Sequence, residues 1–175
     1  LAITIPAVVL SVGFGLMAAY ALAWIPFRFS DHIFYGLFAL QGVPLQLSLL
    51  PLLTFFSNGV QLFGHTIIPP LGIVGSLAAV WFPHVMFGMP LVTYLLHNFV
   101  SAIPRELMEA ARVDGANHFE VFRKIVLPLS LPAIASISIF QFLWIWNDLL
   151  VGLVFAGGTD DVAPLTLHLS NLGGS

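Results

Sequence analysis

Trp144, Trp146, Asn147 and Asp148 stand together at the end of an apolar run, and their chemistry suits a sugar, since aromatic faces and amide groups meet such ligands well. The same four residues also fit an interfacial aromatic belt closing on a polar helix end. Other chemistry is scarce. His84 and His97, two of six histidines, fall in one expected helix about 140° apart around its axis, and no other run supplies a matching pair, so neither haem nor a metal is expected. The single lysine, Lys124, follows Arg123 and precedes Ile125, which is no Gly-rich phosphate loop ending in Lys-Ser or Lys-Thr. No Gly-x-Ser-x-Gly elbow, His-Glu-x-x-His helix or cysteine occurs, which counts against a membrane-embedded hydrolase or a cytochrome, the rival class. The sequence therefore offers no catalytic residue, no cofactor site and no feature that calls for nucleic acid.

The polar residues concentrate instead between Ser101 and Pro128. Pro104 suits the first position of a helix, the formers Glu106 to Arg112 follow, and Gly115 can take the left-handed conformation that ends it. Asn117 with Glu120 three residues on gives a capping-box start to a second short helix, which closes on Arg123 and Lys124. Ala110 and Ala111 keep one surface low, and Glu109 offers a charge to a basic group. Two readings fit these residues. One is a rigid helix seated in the groove of a cytoplasmic partner; the other is an amphipathic helix lying on lipid headgroups.

The order Glu109-Ala110-Ala111, three residues, Gly115, nine residues, then Ile125-x-Leu127-Pro128 resembles the "EAA" loop of permease subunits in bacterial and archaeal ABC importers. Flanking Ile103-Pro104, Glu106-Leu107, Asp114-Gly115-Ala116, Phe122, Leu129 and Pro132 are similar to the carbohydrate branch, MalG-like and alpha-glucoside permeases, as are Trp146-Asn147-Asp148 and Pro164-Leu165-Thr166. Met108 stands where an acidic residue is often found, which implies one altered polar contact.

The resemblance implies a coupling loop of Glu109, Ala110, Ala111, Asp114, Gly115, Ile125, Leu127 and Pro128 that docks on a dimer of ATP-binding subunits, where ATP is bound. It also implies a second permease subunit and an external solute-binding protein. The solute is expected to be a sugar, with Trp144, Asn147 and Asp148 as candidate pathway residues. The loop motif is shared with importers of amino acids, peptides and phosphate, so such a solute is the alternative.

The elements that must carry these residues are membrane helices. A chain that is 59% hydrophobic and 7% charged, with a mean hydropathy of +1.01, has lipid as its solvent. Each crossing needs about 20 apolar residues with internally satisfied backbone, so helix is expected rather than sheet. Spans are expected at about 1–25, 33–56, 71–97 and 125–147, an all-α polytopic bundle, which the resemblance implies to be a single permease domain in a bacterial or archaeal inner membrane. Pro44 and Pro51, and Pro83 and Pro90, predict kinks at seven-residue spacing.

All five basic residues lie in two segments, Arg28 in one and Arg105, Arg112, Arg123 and Lys124 in the other. Four spans put both on one side, and the positive-inside rule makes that side the cytoplasm, leaving 57–70 and the tail with Asp160 and Asp161 outside. A start without Met inside an apolar run, and an end at Gly173-Gly174-Ser175, read as a piece of a longer chain. Against the family's usual six spans, it would lack the first and last.

Overall fold

The computed structural model describes residues 1–62 and 65–156. Helix α1 (Thr4–Trp24) leads to α2 (Ser30–Leu40) and α3 (Leu45–Asn58). A hairpin of β1 (Val60–Leu62) and β2 (His65–Ile68) comes next, and then α4 (Leu77–Ser101). A short helix α5 (Arg105–Val113) precedes α6 (His118–Val121), which runs through a π-helical turn (Phe122–Val126) into α7 (Leu127–Asn147); α8 (Leu150–Phe155) follows. Three helices are long and apolar enough to cross a bilayer, Thr4–Trp24, Leu77–Ser101 and His118–Asn147, and a fourth crossing exists if the bent pair α2–α3 is one span.

Inside lipid, helices gain little from burying apolar area against one another, so close packing decides which faces meet. In α1 the buried face carries Ala7, Ser11, Gly15 and Ala19 at four-residue spacing, a stripe low enough for α4 to approach. Contact is closest at Gly15, where an added Cβ would lie 2.5 Å from Val92 Cγ1. The two helices run parallel: near their starts Trp81 Nε1 donates to the Ala2 carbonyl, and at their ends Trp24 Nε1 donates to the Val100 carbonyl. Helix α7 packs against both. Ile5, Val9, Phe14 and Met17 on α1 and Ile139 and Leu143 on α7 point away from the bundle, the outward apolar faces that a lipid solvent requires.

The span expected at 33–56 is not one helix. Helices α2 and α3 meet at 104°. Pro44 lacks an amide hydrogen and excludes helical backbone at the residue before it. The last amides of α2 accordingly close in tight i→i−3 bonds, Gln41 to Phe38, Gly42 to Ala39 and Val43 to Leu40, and the chain restarts from Pro44 at φ −60° and ψ 129°. Pro51, Pro83 and Pro90 stay inside their helices.

The span expected at 71–97 is shifted to Leu77–Ser101. Gly72 and Gly75 take positive φ before Ser76, whose hydroxyl caps Ala79 N–H. The uncharged link at 57–70 contains the small antiparallel hairpin rather than turns alone. Gly59, at φ +68°, lies so close to the Ile68 carbonyl that no Cβ fits there. Asp160, Asp161 and Pro164 to Thr166 lie outside the described residues.

The last difference concerns the loop. The helix begun at Asn117 does not end at Lys124 but continues into α7, giving 30 residues from His118 to Asn147. Pro128 would drive its ring into the Lys124 carbonyl of a regular α-helix. Just before it the helix widens to π geometry, with Leu127 N–H bonded to the Phe122 carbonyl, and that widening lets the helix pass through the proline.

Candidate functional site: the 101–128 loop and the cavity behind it

Pro104 stands just before α5 at φ −56° and ψ 134°, one position earlier than expected. Glu106 lies in the first turn and Arg112 in the last, the arrangement the helix dipole favours. At the far end Gly115 takes φ +81°. Its N–H bonds to the Arg112 carbonyl at 3.0 Å while Ala116 N–H reaches back to Ala111 at 2.9 Å, the paired bonds of a Schellman stop. Asn117 then opens α6 with a complete capping box. Its Oδ1 accepts from Glu120 N–H at 3.0 Å, and its own N–H donates to Glu120 Oε2 at 3.1 Å. Lys124 Nζ lies 3.4 Å from the other oxygen of Glu120.

Three contacts fasten this loop to the bundle. Met108 is 2% exposed in the same core as Val100, Ile103, Val121 and Val126, so position 108 faces inward among apolar side chains. The Arg112 guanidinium donates to the Trp24 carbonyl at the last turn of α1, 3.4 Å away. The Tyr20 hydroxyl lies 3.0 Å from His118 Nδ1 and 3.3 Å from the His118 carbonyl, with the Phe122 ring edge-on at 5.4 Å. Arg112 on Trp24 also puts the loop at the end of the bundle where α1 runs into the Arg28 segment, so the two basic segments share a side.

The opposite face of α5 is open. Glu109 and Ala110 are exposed, Leu107 partly so, Val113 is 87% exposed and Phe119 at the start of α6 is 69% exposed. Among the described residues Glu109 and Asp114 make no ion pair. The two alanines of the motif have different surroundings: Ala110 is outside, and Ala111 packs half-buried on the core and lets α5 lie close. Asp114 contributes its backbone, whose N–H bonds to the Ala110 carbonyl at 3.0 Å. Ile125 and Leu127 are half-buried in the widened turn and Pro128 is exposed.

Of the candidate pathway residues, Trp144 and Asp148 meet at His84, to which the Trp144 ring stands edge-on at 6.3 Å, and Asn147 does not join them. Trp144 lines a cavity of about 810 Å³ between the α2–α3 bend, the middle of α4 and α7. Asn147 instead bonds to the Leu143 carbonyl of its own helix at 2.7 Å. Asp148 accepts from Val151 N–H and lies 3.6 Å from His84 Nε2. His84 Nδ1 is 2.8 Å from the Val80 carbonyl and so carries a hydrogen; this buried His–Asp pair joins α4 to the start of α8. Gln41 lines the cavity and Gln46 is exposed outside it.

Sequence reasoning missed Tyr20, Trp24, His84 and His118 as structural links, and it missed Gln141, an amide set between aromatic residues inside the apolar run of α7. That isolation was a usable signal, because polar groups at membrane depth are seldom idle.

A bundle of bilayer-length helices, with a capped helical hairpin clamped across the ends of α1 and α4, defines a multi-pass membrane component that presents a rigid surface on one side. The sequence pattern described as "Binding-protein-dependent transport system inner membrane component" matches residues 11–172, and the chain belongs to that family. It is 47% identical over its whole length to the osmoprotective compounds uptake permease protein GgtD of Synechocystis, covering 55% of that protein. Identity is also 47% to the alpha-glucoside transport system permease protein AglG of Rhizobium meliloti, of which it covers 44%. The xylose/arabinose import permease protein XacI of Haloferax volcanii is 33% identical, with 59% covered. The chain thus spans about half the length of the curated relatives it matches.

Proposed function

We propose that the protein is the membrane permease subunit of an ATP-driven sugar importer, passing solute from an external binding protein to the cytoplasm beside a second permease subunit. The α5 hairpin is its cytoplasmic coupling element. It docks on an ATP-binding subunit dimer and transmits the dimer's closure to α1 and α4, with ATP hydrolysis residing on that partner. The observation that carries this reading is the two-sidedness of α5: one face and both flanks are anchored to the membrane helices, while Leu107, Ala110 and Val113 are left facing outward.

The sugar is supported by the carbohydrate names of two of these relatives, and the cytoplasmic side by the basic residues gathered at one end. Detergent co-purification of the full-length permease with its ATP-binding subunit tests the docking. Scrambling Glu109 to Gly115 is expected to abolish capture. Equal capture by the scrambled protein would contradict the assignment and favour a helix lying on the membrane surface.

A further inference from the structure

We infer that His84 and Asp148 hold one shared proton between them, which makes the junction of α4 and α8 a pH-sensitive latch, closed while the proton is bound and released as it is lost.

The hydrogen bonds around the pair count the proton. His84 Nδ1 lies 2.8 Å from the Val80 carbonyl, and a carbonyl only accepts, so the ring hydrogen sits on Nδ1. In a neutral imidazole that leaves Nε2 with a bare lone pair. Nε2 faces another acceptor, Asp148 Oδ2, 3.6 Å away, with the two side chains 2% and 9% exposed. Among the described residues it has no hydrogen-bond partner. Two acceptors facing each other out of water repel unless one carries a hydrogen. A proton on the imidazole gives an ion pair, and a proton on the carboxyl gives an O–H···N bond. Either placement closes the contact, and the pair titrates as one unit.

No neighbouring group competes for that proton. Helices α1, α3, α7 and α8 pack against α4 and contain no Asp, Glu, Lys, Arg or His. What they turn toward the pair is neutral, Thr4 from α1, Trp144 and Trp146 from α7 and Gly152 from α8. Asp31, His32 and Tyr35 belong to α2, which meets α4 around Tyr94 and His97 at its other end. Tyr20 is at that end too, on His118, and His65 on β2 is exposed. Leu1 lines the cavity beside the pair; in a full-length permease its nitrogen is an uncharged amide. That cavity, about 60 Å³ and bordered by Thr4, His84 and Asp148, has room for a water molecule through which the proton can exchange.

The latch acts on α8 because Asp148 Oδ1 also accepts from Val151 N–H at 3.2 Å. Its sign follows from the proton count. Above about pH 6.5 a free histidine is neutral and a free carboxylate ionised, so the opened pair holds no proton and the closed pair holds one. Closing takes up a proton and weakens as pH rises, by up to about tenfold per pH unit.

The test is hydrogen exchange of residues 149–156 in the full-length permease in detergent, from about pH 6 to about pH 9. Wild type and variants are compared at the same pH, which cancels the intrinsic pH dependence of exchange. Asp148→Asn keeps Oδ1 for Val151 N–H and turns an N–H toward Nε2, a bond that needs no added proton. Exchange in wild type is expected to outrun that in Asp148→Asn progressively as pH rises, by up to about tenfold per unit. His84→Gln, whose amide donates to Asp148 without titrating, should diverge from wild type in the same way, and it covers a failure of Asp148→Asn to fold. His97→Gln, at the other end of α4, should follow wild type. A ratio of wild type to Asp148→Asn or to His84→Gln that stays constant across the range would mean that the pair holds no proton and would overturn the latch. So would loss of the pH-dependent rise in His97→Gln, which would move the titrating group to the opposite end of α4.

Discussion

Gly115 shows how a single backbone angle defines the hairpin of α5 and α6. A Cβ built on it meets nothing within 4 Å, so a side chain would not obstruct the turn; the constraint is φ +81° itself. A β-branched residue is disfavoured there by about 1–2 kcal/mol, whereas Asn visits this region more readily. On the proposed function, Gly115→Val is therefore expected to lower the amount of solute moved per ATP hydrolysed, and Gly115→Asn to retain most of it, measured side by side in proteoliposomes. Equal loss in both would mean that some other property of the glycine matters.

Tyr20 makes a second residue-scale case. Its hydroxyl is the tie between α1 and the start of α6, and Tyr20→Phe removes about 1 kcal/mol of attachment while leaving the ring on Phe122. On the proposed function, transport per ATP should fall with capture of the ATP-binding subunit unchanged, because the outward face of α5 proposed for docking is untouched.

Among the elements, α1 and α4 form the frame. Gly15 lets them touch at Val92, so Gly15→Leu should force them apart at a cost of about 1–3 kcal/mol, the usual penalty of overpacking. The check is the detergent unfolding midpoint, and Gly13→Leu, at a position with nothing within 4 Å, should change it little.

The same comparison explains what could be read ahead of the structure. Helix α5, its glycine stop and the Asn117–Glu120 box were legible because their signals are local and use specific residue types. The span positions followed from hydropathy for α1 and α7. Pro44 reads as a kink from sequence, and only the tight bonds at Gln41, Gly42 and Val43 turn it into a 104° break. The hairpin at 60–68 has two strands too short to stand out from an uncharged link. The uninterrupted passage through Pro128 depends on a π-helical turn, for which the residues Phe122 to Val126 carry no distinctive mark. Packing partners such as His84 with Asp148 lie 64 positions apart, and no periodicity within one helix predicts them.

At the scale of the whole molecule, the apolar helices carry two features, the clamped hairpin at one end and the cavity between the α2–α3 bend, α4 and α7. Helices α1, α4 and α7 join them, since α4 carries Gly88 in its middle and Val100 at the Trp24 contact. A force on α5 thus has a packed route to the cavity through a helix that forms part of both. That route has value only if α5 meets its partner with the face left open here.

The most direct measurement is site-specific cross-linking at Val113. The 175 residues contain no cysteine, so Val113→Cys introduces a single thiol into this region, and Phe14→Cys on the outward face of α1 gives a lipid-facing control. With a short bifunctional reagent in intact membranes, Val113→Cys is expected to be joined to the proposed ATP-binding subunit and Phe14→Cys is not. If Val113→Cys instead reacts only with a membrane-dissolved reagent, as Phe14→Cys does, and never captures that subunit, α5 lies on lipid and the coupling assignment is wrong.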